Sequence, residues 1–298
     1  MVQRINDNDM HIKRLDEMHV YNSNGLLIAQ SRKHLMDIIK ERIEEQGPAC
    51  DLNDIDVSRV TDMSSLFAKV TFNGDISEWD VSNVKNMEDM FGRSEFNGDI
   101  SKWNVGSVER MYGMFSHSEF NGDISKWDVS NVKNMSFMFW QSAFNGDISK
   151  WDVGKVNSIV GMFAFSEFNG DISGWNVSSV EHMESMFSCS KFKGDISKWD
   201  VGNVQDMCLM FADSEFNGDI SKWNVKNVEI MRGMFKNSKF KGDISKWDVS
   251  KVRDMSFMFE DSKFNGDISG WNVSKVRYME RMFAKCPLKK NPPSWYKE

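Results

Sequence analysis

Large apolar residues return to the same slots of the chain every 24 positions. In the stretch FNGDISKWNVGSVERMYGMFSHSE these slots hold Phe96, Ile100, Trp103, Val105, Val108, Met111, Met114 and Phe115, with mostly polar residues between. The spacing changes along the unit. Val108, Met111, Met114 and Phe115 follow the i, i+3, i+6, i+7 pattern of one face of a short helix. Trp103 and Val105 are two apart, the strand period. Ile100 and Trp103 are three apart, which a straight strand does not allow if both point inward. The pattern predicts two short extended pieces, 98–101 and 103–105, with a corner near Lys102, then a helix and a polar turn at 116–119. Ser82, Gly106 and Ser130 stand at the predicted helix start in their copies, as suits an N-cap, whereas Lys226 breaks that pattern.

The string FNGDISKW, or a near variant, begins at Phe72, Phe96, Phe120, Phe144, Phe168, Phe192, Phe216, Phe240 and Phe264, without insertion. One unit buries too little apolar surface to fold alone. Stacked in register, each copy covers the next, so a solenoid with one continuous core is expected. Upstream, DIDVSRVTDMSSLF is an in-register unit with Ile55 in the Trp slot and Leu66 in a Met slot. Before it, MHVYNSNGLLIAQ reads as a hairpin about Asn24 and Gly25, and SRKHLMDIIKERIEEQG as a helix capped by Ser31 and ended near Gly47 and Pro48. Downstream, Leu288 takes the Phe slot and Trp295 the Trp slot, while Pro287, Pro292 and Pro293 remove backbone donors and blunt the edge. The organisation expected is an N-terminal cap at 1–50, a repeat solenoid at 51–283 and a C-terminal cap at 284–298. The fold class expected is α/β, with about ten coils, each holding short parallel strands and one short helix.

The pattern V-x-x-M-x-x-M-F followed by F-N-x-D-I-S-x-W-[DN]-V, as in VKNMSFMFWQSAFNGDISKWDV at 132–153, resembles the mycoplasma-type repeat of BspA-like leucine-rich-repeat surface proteins. The resemblance covers residues 51–295. It implies a right-handed, leucine-rich-repeat-like solenoid of bacterial type and, for many relatives, surface display and adhesion to host proteins. No signal peptide, lipid-attachment cysteine or wall anchor is legible in these residues.

Charge and cysteine usage narrow the classes. A net charge of -7 argues against non-specific nucleic-acid binding and against attraction to anionic membranes. No stretch approaches a membrane span, and the opening MVQRINDNDMHIKRLDE has no apolar run. Cys50, Cys189, Cys208 and Cys286 fall at unrelated points of the repeat, which suits free thiols in a reducing compartment. The location expected is therefore the cytoplasm, or the cell surface if a leader has been removed. A monomer is expected.

The candidate chemistry lies in columns. The carboxylates from Asp75 to Asp267 could hold calcium, but they lack the spacing of calcium-binding β-solenoids and read better as acceptors for their own turns. The stripe Lys102, Lys126, Lys150, Lys198, Lys222 and Lys246 reads as a solvated edge. Asp and Asn replace each other from Asp80 to Asn272, so that site asks for an oxygen acceptor next to the backbone. His11, His19, His34, His117 and His182 share no metal-ligand spacing, and the methionine pairs read as core. No nucleophile–base set, phosphate loop or cofactor motif is present. Function is expected where the copies differ. Phe137 and Phe257 stand beside glycines in their column and read as packing between coils. Trp140 and Phe165 occupy turn slots elsewhere held by small or polar residues, so the fold does not ask for rings there. They are expected to be partly exposed, close in space, and part of a protein-partner site with His117 and Gln141 on its rim. The reading is a non-enzymatic scaffold for protein–protein interaction; the alternative is a bacterial surface adhesin or glycan binder.

Overall fold

Each copy folds as a chain of linked turns. In the computed structural model, which describes residues 20–297, the copy that holds Trp140 shows the pattern. The N–H groups of Trp127, Val132, Met138, Trp140 and Ser142 each donate to the carbonyl three residues back, at 2.9–3.2 Å. The N–H groups of Met135, Phe137, Phe139 and Gln141 leave the copy and donate to Ser158, Val160, Met162 and Ala164 of the next one, at 2.7–3.0 Å. Along 135–142 the backbone donors thus alternate between the copy's own turns and its neighbour. Phe137 (φ 58°) and Gln141 (φ 52°) are left-handed third residues of two successive turns, the mark of type II geometry.

The predicted helix over each V-x-x-M-x-x-M is therefore absent. An apolar residue every three or four positions fits a helix and a run of three-residue turns equally well. Alternating donors satisfy each copy against an identical partner 24 residues on, and left-handed residues such as Phe137 and Gln141 end any helical path. The predicted strands at DIS and W-[DN]-V are also displaced. Parallel bridges run instead through the residue before the first Met slot, from Asp62 to Asn86, Arg110, Asn134 and onward to Tyr278. One bridge at the DIS position, Asp51 to Asp75, does form. The corner expected at Lys102 is a turn, closed by the Trp103 N–H on the Ile100 carbonyl at 3.2 Å.

The apolar slots fill a single repeat-solenoid core. The two phenylalanine columns stack with a neighbour in the next copy, for example Phe115 on Phe139 at 5.8 Å and Phe120 on Phe144 at 6.4 Å. The tryptophans add a directional bond to this packing. The Trp103 indole N–H donates to the Ile76 carbonyl at 3.0 Å, and the same bond recurs to Trp295 on Ile268.

At the N-terminal side, a hairpin bridge joins Tyr21 and Leu27, and β1 (Leu27–Ile28) pairs in parallel with β2 (Ile55–Asp56). Helix α1 (Arg32–Gln46) begins at Ser31, whose hydroxyl accepts the His34 N–H, and stops at Gly47 with φ 88°. Its buried residues Leu35, Ile38 and Ile39 join the core beside the first repeat. A short 3-10 turn at Pro287–Lys289 precedes the last tryptophan. No helix among the described residues is long and apolar enough to cross a membrane.

Candidate partner-binding face

The polar columns are largely structural. In every copy from Asp75 to Asp267 the carboxylate accepts the backbone N–H two residues on, at 2.9 Å. These bonds, chiefly to the serine, hold carboxyls such as Asp123 below the ordinary Asp range. The mixed Asp/Asn column does the same job for the next turn: Asp128 accepts from Ser130 at 3.0 Å and Asn104 from Gly106 at 3.2 Å. The third column is a ladder between copies. Asn97 Oδ1 accepts the Asn121 N–H, and Asn169 Oδ1 accepts the Lys193 N–H, so a lysine can close a step but cannot offer the next one.

The paired turns present a different face. The residues after the first Met slot and after the MF pair differ from copy to copy, and one stretch of that face is aromatic. The Tyr112 and Phe137 rings meet edge to face at 5.4 Å, Phe137 and Trp140 at 5.9 Å, and Trp140 and Phe165 at 6.3 Å. The His117 ring stands edge-on to Trp140 at 4.5 Å, and its Nδ1 is 3.1 Å from the Ser116 hydroxyl. Phe165 is 53% exposed and Tyr112 is 37% exposed, whereas the core phenylalanines are fully covered. Trp140, His117 and Phe137 are half-buried.

The four residues singled out in the sequence thus lie on one face. Trp140, Phe165 and His117 share ring contacts. Gln141 is exposed beside them, held by its N–H on the Ala164 carbonyl, and makes no side-chain bond to the rings. Two further rings belong to the run. Phe137 does pack between copies as its neighbours suggest, and its outer edge also carries the Tyr112 and Trp140 contacts. Tyr112 carries the same signal as Trp140, a ring in a slot where other copies place Ser, Glu, Val, Cys or Arg.

Burial and the nearby Arg93 hold His117 below its ordinary range, so the ring is neutral at pH 7. Burial, together with Asp89 and Glu88, raises the Tyr112 phenol. Farther along, the same face becomes ionic. Burial pushes Asp206 up to about 6, helped by Glu184 and Asp254, and Cys208 up to about 11. Beyond that, Arg232 and Lys236 crowd the Phe257 ring at 5.3 and 5.6 Å. Buried Glu260 pairs with Lys236 at 3.0 Å and with Arg281. All four cysteines are free thiols. His11 and His19 lie outside the described residues, and among the described residues no three His, Cys, Asp or Glu side chains converge as a metal site.

A tandem-repeat solenoid with a variable, ring-bearing face is a repeat protein in which the copies supply the core and their differences supply the surface. The model of the family described as Mycoplasma protein of unknown function, DUF285, matches residues 42–142, 116–218 and 210–296, and the chain belongs to that family of mycoplasma-type repeat proteins. No curated protein and no solved structure matches the chain.

Proposed function

We propose that the chain is a non-enzymatic scaffold that docks a protein partner on its variable face, with Tyr112, Phe137, Trp140 and Phe165 as the anchor and His117 and Gln141 at its rim. The carrying observation is the run of edge-to-face rings that ends at half-exposed Phe165. Aromatic side chains give up water contact over a large area at low entropic cost, so such runs anchor interfaces. The turns do not depend on a ring at Trp140, since other copies close the same turn with Ala, Ser or Lys in that slot. The test is a pull-down from cell lysate with the wild-type chain and the Trp140→Ala, Phe165→Ala pair. A specific partner is expected with the wild type, and its loss from the pair with little change in melting temperature supports the reading. A clear drop in stability with partner capture intact removes it.

The resemblance to BspA-like leucine-rich-repeat surface proteins supports a second reading, in which the same face acts outside the cell as an adhesin for a host protein or glycan. A glycan array run beside the pull-down separates the two. Capture of a sugar ligand, with no protein partner from lysate, favours the adhesin.

A further inference from the structure

The aromatic run does not stand alone on its face. Two copies toward the N-terminal side, Arg32, Lys69 and Arg93 line an open cavity of about 470 Å³ together with Met36, Ser65 and Ser116. Some cations elsewhere on the surface pair with a carboxylate one copy away, as Lys102 does with Glu78 and Lys133 with Glu109, while others stand apart from one another along the coil edges. Arg32, Lys69 and Arg93 make no ion pair among the described residues. Arg32 is held in place by its Nε on the Ser64 carbonyl at 2.5 Å. One acid, Asp89, also lines the cavity, but its Oδ1 lies over Gly113, 2.2 Å from where a Cβ there would sit. Three cations therefore share the cavity with one carboxylate, Asp89, which Arg93 attracts.

The cavity and the rings share a column. The residue two places after the MF pair reads Lys69, Arg93, His117, Gln141, Phe165, then Cys189 and Asp213. Each of these seven has a positive φ, from 52° to 60°, so their side chains leave the same turn in the same way. Cationic, then neutral, then aromatic groups follow one another along the solenoid axis, and the first acid of the column comes only after them.

Resting on the proposed partner-docking reading, we infer that the occupant is an extended acidic segment of a protein, with its carboxylates in the Arg32, Lys69 and Arg93 cavity and a bulky apolar side chain on Trp140 and Phe165. Charge complementarity selects the first half and the rings select the second. Three coil steps separate Arg93 from Phe165. At about 4.8 Å per step and about 3.4 Å per extended residue, the acid and the apolar anchor stand roughly four residues apart in the segment.

The probe is a displayed library of random twelve-residue peptides, selected on the intact chain. Enriched sequences are expected to carry Asp or Glu about four residues from Trp, Phe or Leu. Their synthetic versions should weaken at least tenfold with Lys69→Glu, Arg93→Glu and in high salt. The single Lys69→Glu variant, whose side chain makes no ion pair among the described residues, should melt near wild type and still weaken the peptides, whereas Arg93→Glu also gives up its attraction to Asp89. Trp140→Ala, Phe165→Ala should weaken the same peptides. Selection of peptides without acids, or binding unchanged by the charge reversal but lost with the ring pair, overturns this inference and leaves the docking face standing. Loss with the charge reversal and none with the ring pair overturns the docking face. Equal displacement by heparin or by inorganic phosphate at low concentration would show a general anion site and also overturn the inference.

Discussion

The Phe137 ring lies against the backbone of Gly161, one copy further on. A Cβ placed on Gly161 would stand 2.6 Å from Phe137 Cε1, closer than side-chain atoms approach. Leu209 repeats the relationship over Gly233, also at 2.6 Å. At both places the large residue leans forward and the next copy makes room by having no side chain, whereas Phe257 is followed by Arg281, whose guanidinium lies 5.8 Å from the ring centroid. Gly161 has φ 57°, so it answers two demands at once, the left-handed turn and the ring above it.

Gly161→Ala is expected to destabilise the chain for both reasons. The left-handed backbone alone costs an alanine about 1–2 kcal/mol, and the clash adds to it. In a Phe137→Ala background the clash disappears and the backbone part remains. Urea denaturation of the four proteins should therefore give a coupling of about 1 kcal/mol or more. Strict additivity would mean that the ring does not rest on Gly161.

Much of this fold is legible in the sequence because it is repeated. The register, the core slots and the corner at Lys102 follow from spacing alone. So does the capping role of the Asp/Asn column, because an amide and a carboxylate share only an oxygen acceptor. The turns are less legible, since Val108, Met111, Met114 and Phe115 have the same spacing on a helix. The signal against the helix is Gly113, Gly161 and Gly233 in its middle, at the positions that are left-handed in the structure. Tyr112 and Phe137 are the less legible members of the site, one a single ring in a variable slot and the other a residue with a packing role of its own. A ring can fill a gap and still show its outer edge.

The indole column carries part of the stability. Trp151 donates to the Ile124 carbonyl at 3.1 Å in a fully buried setting. Trp151→Phe keeps an aromatic ring in the stack and removes the donor. The expected loss is about 1–3 kcal/mol, the range for a buried bond left unmade, read from the urea midpoint at constant slope. A change below about 0.5 kcal/mol would place the weight on ring stacking instead.

The N-terminal segment covers the first repeat. Helix α1 sets Leu35, Ile38 and Ile39 into the core beside Leu52, Ile55 and Val57, and Arg32 reaches the Ser64 carbonyl. Removing residues 1–50 uncovers that apolar end and the pairing edge of β2. Association or precipitation is expected, measured by light scattering during size-exclusion chromatography. A truncated chain that stays monomeric and melts as before would show that the segment is no cap.

Asp206 gives the chain a pH dependence that can be assigned. Burial, with Glu184 and Asp254 nearby, raises its carboxyl from 3.8 to about 6, while the Cys208 N–H and His182 act the other way. The folded chain thus holds this proton more tightly than the unfolded chain. The stabilising contribution is complete below about 3.8 and is lost as pH rises through about 6. Asp206→Asn removes the ionisation and keeps the acceptor. Asn134, in the same column, takes the Ser136 N–H through Oδ1 at 2.8 Å, just as Asp206 takes the Cys208 N–H at 2.7 Å. The variant should therefore be more stable than wild type at pH 7.5, and the difference should shrink to nothing near pH 4. Thermal melts of both proteins across that window decide it. An advantage that stays constant from pH 4 to pH 8 would mean that Asp206 does not titrate there.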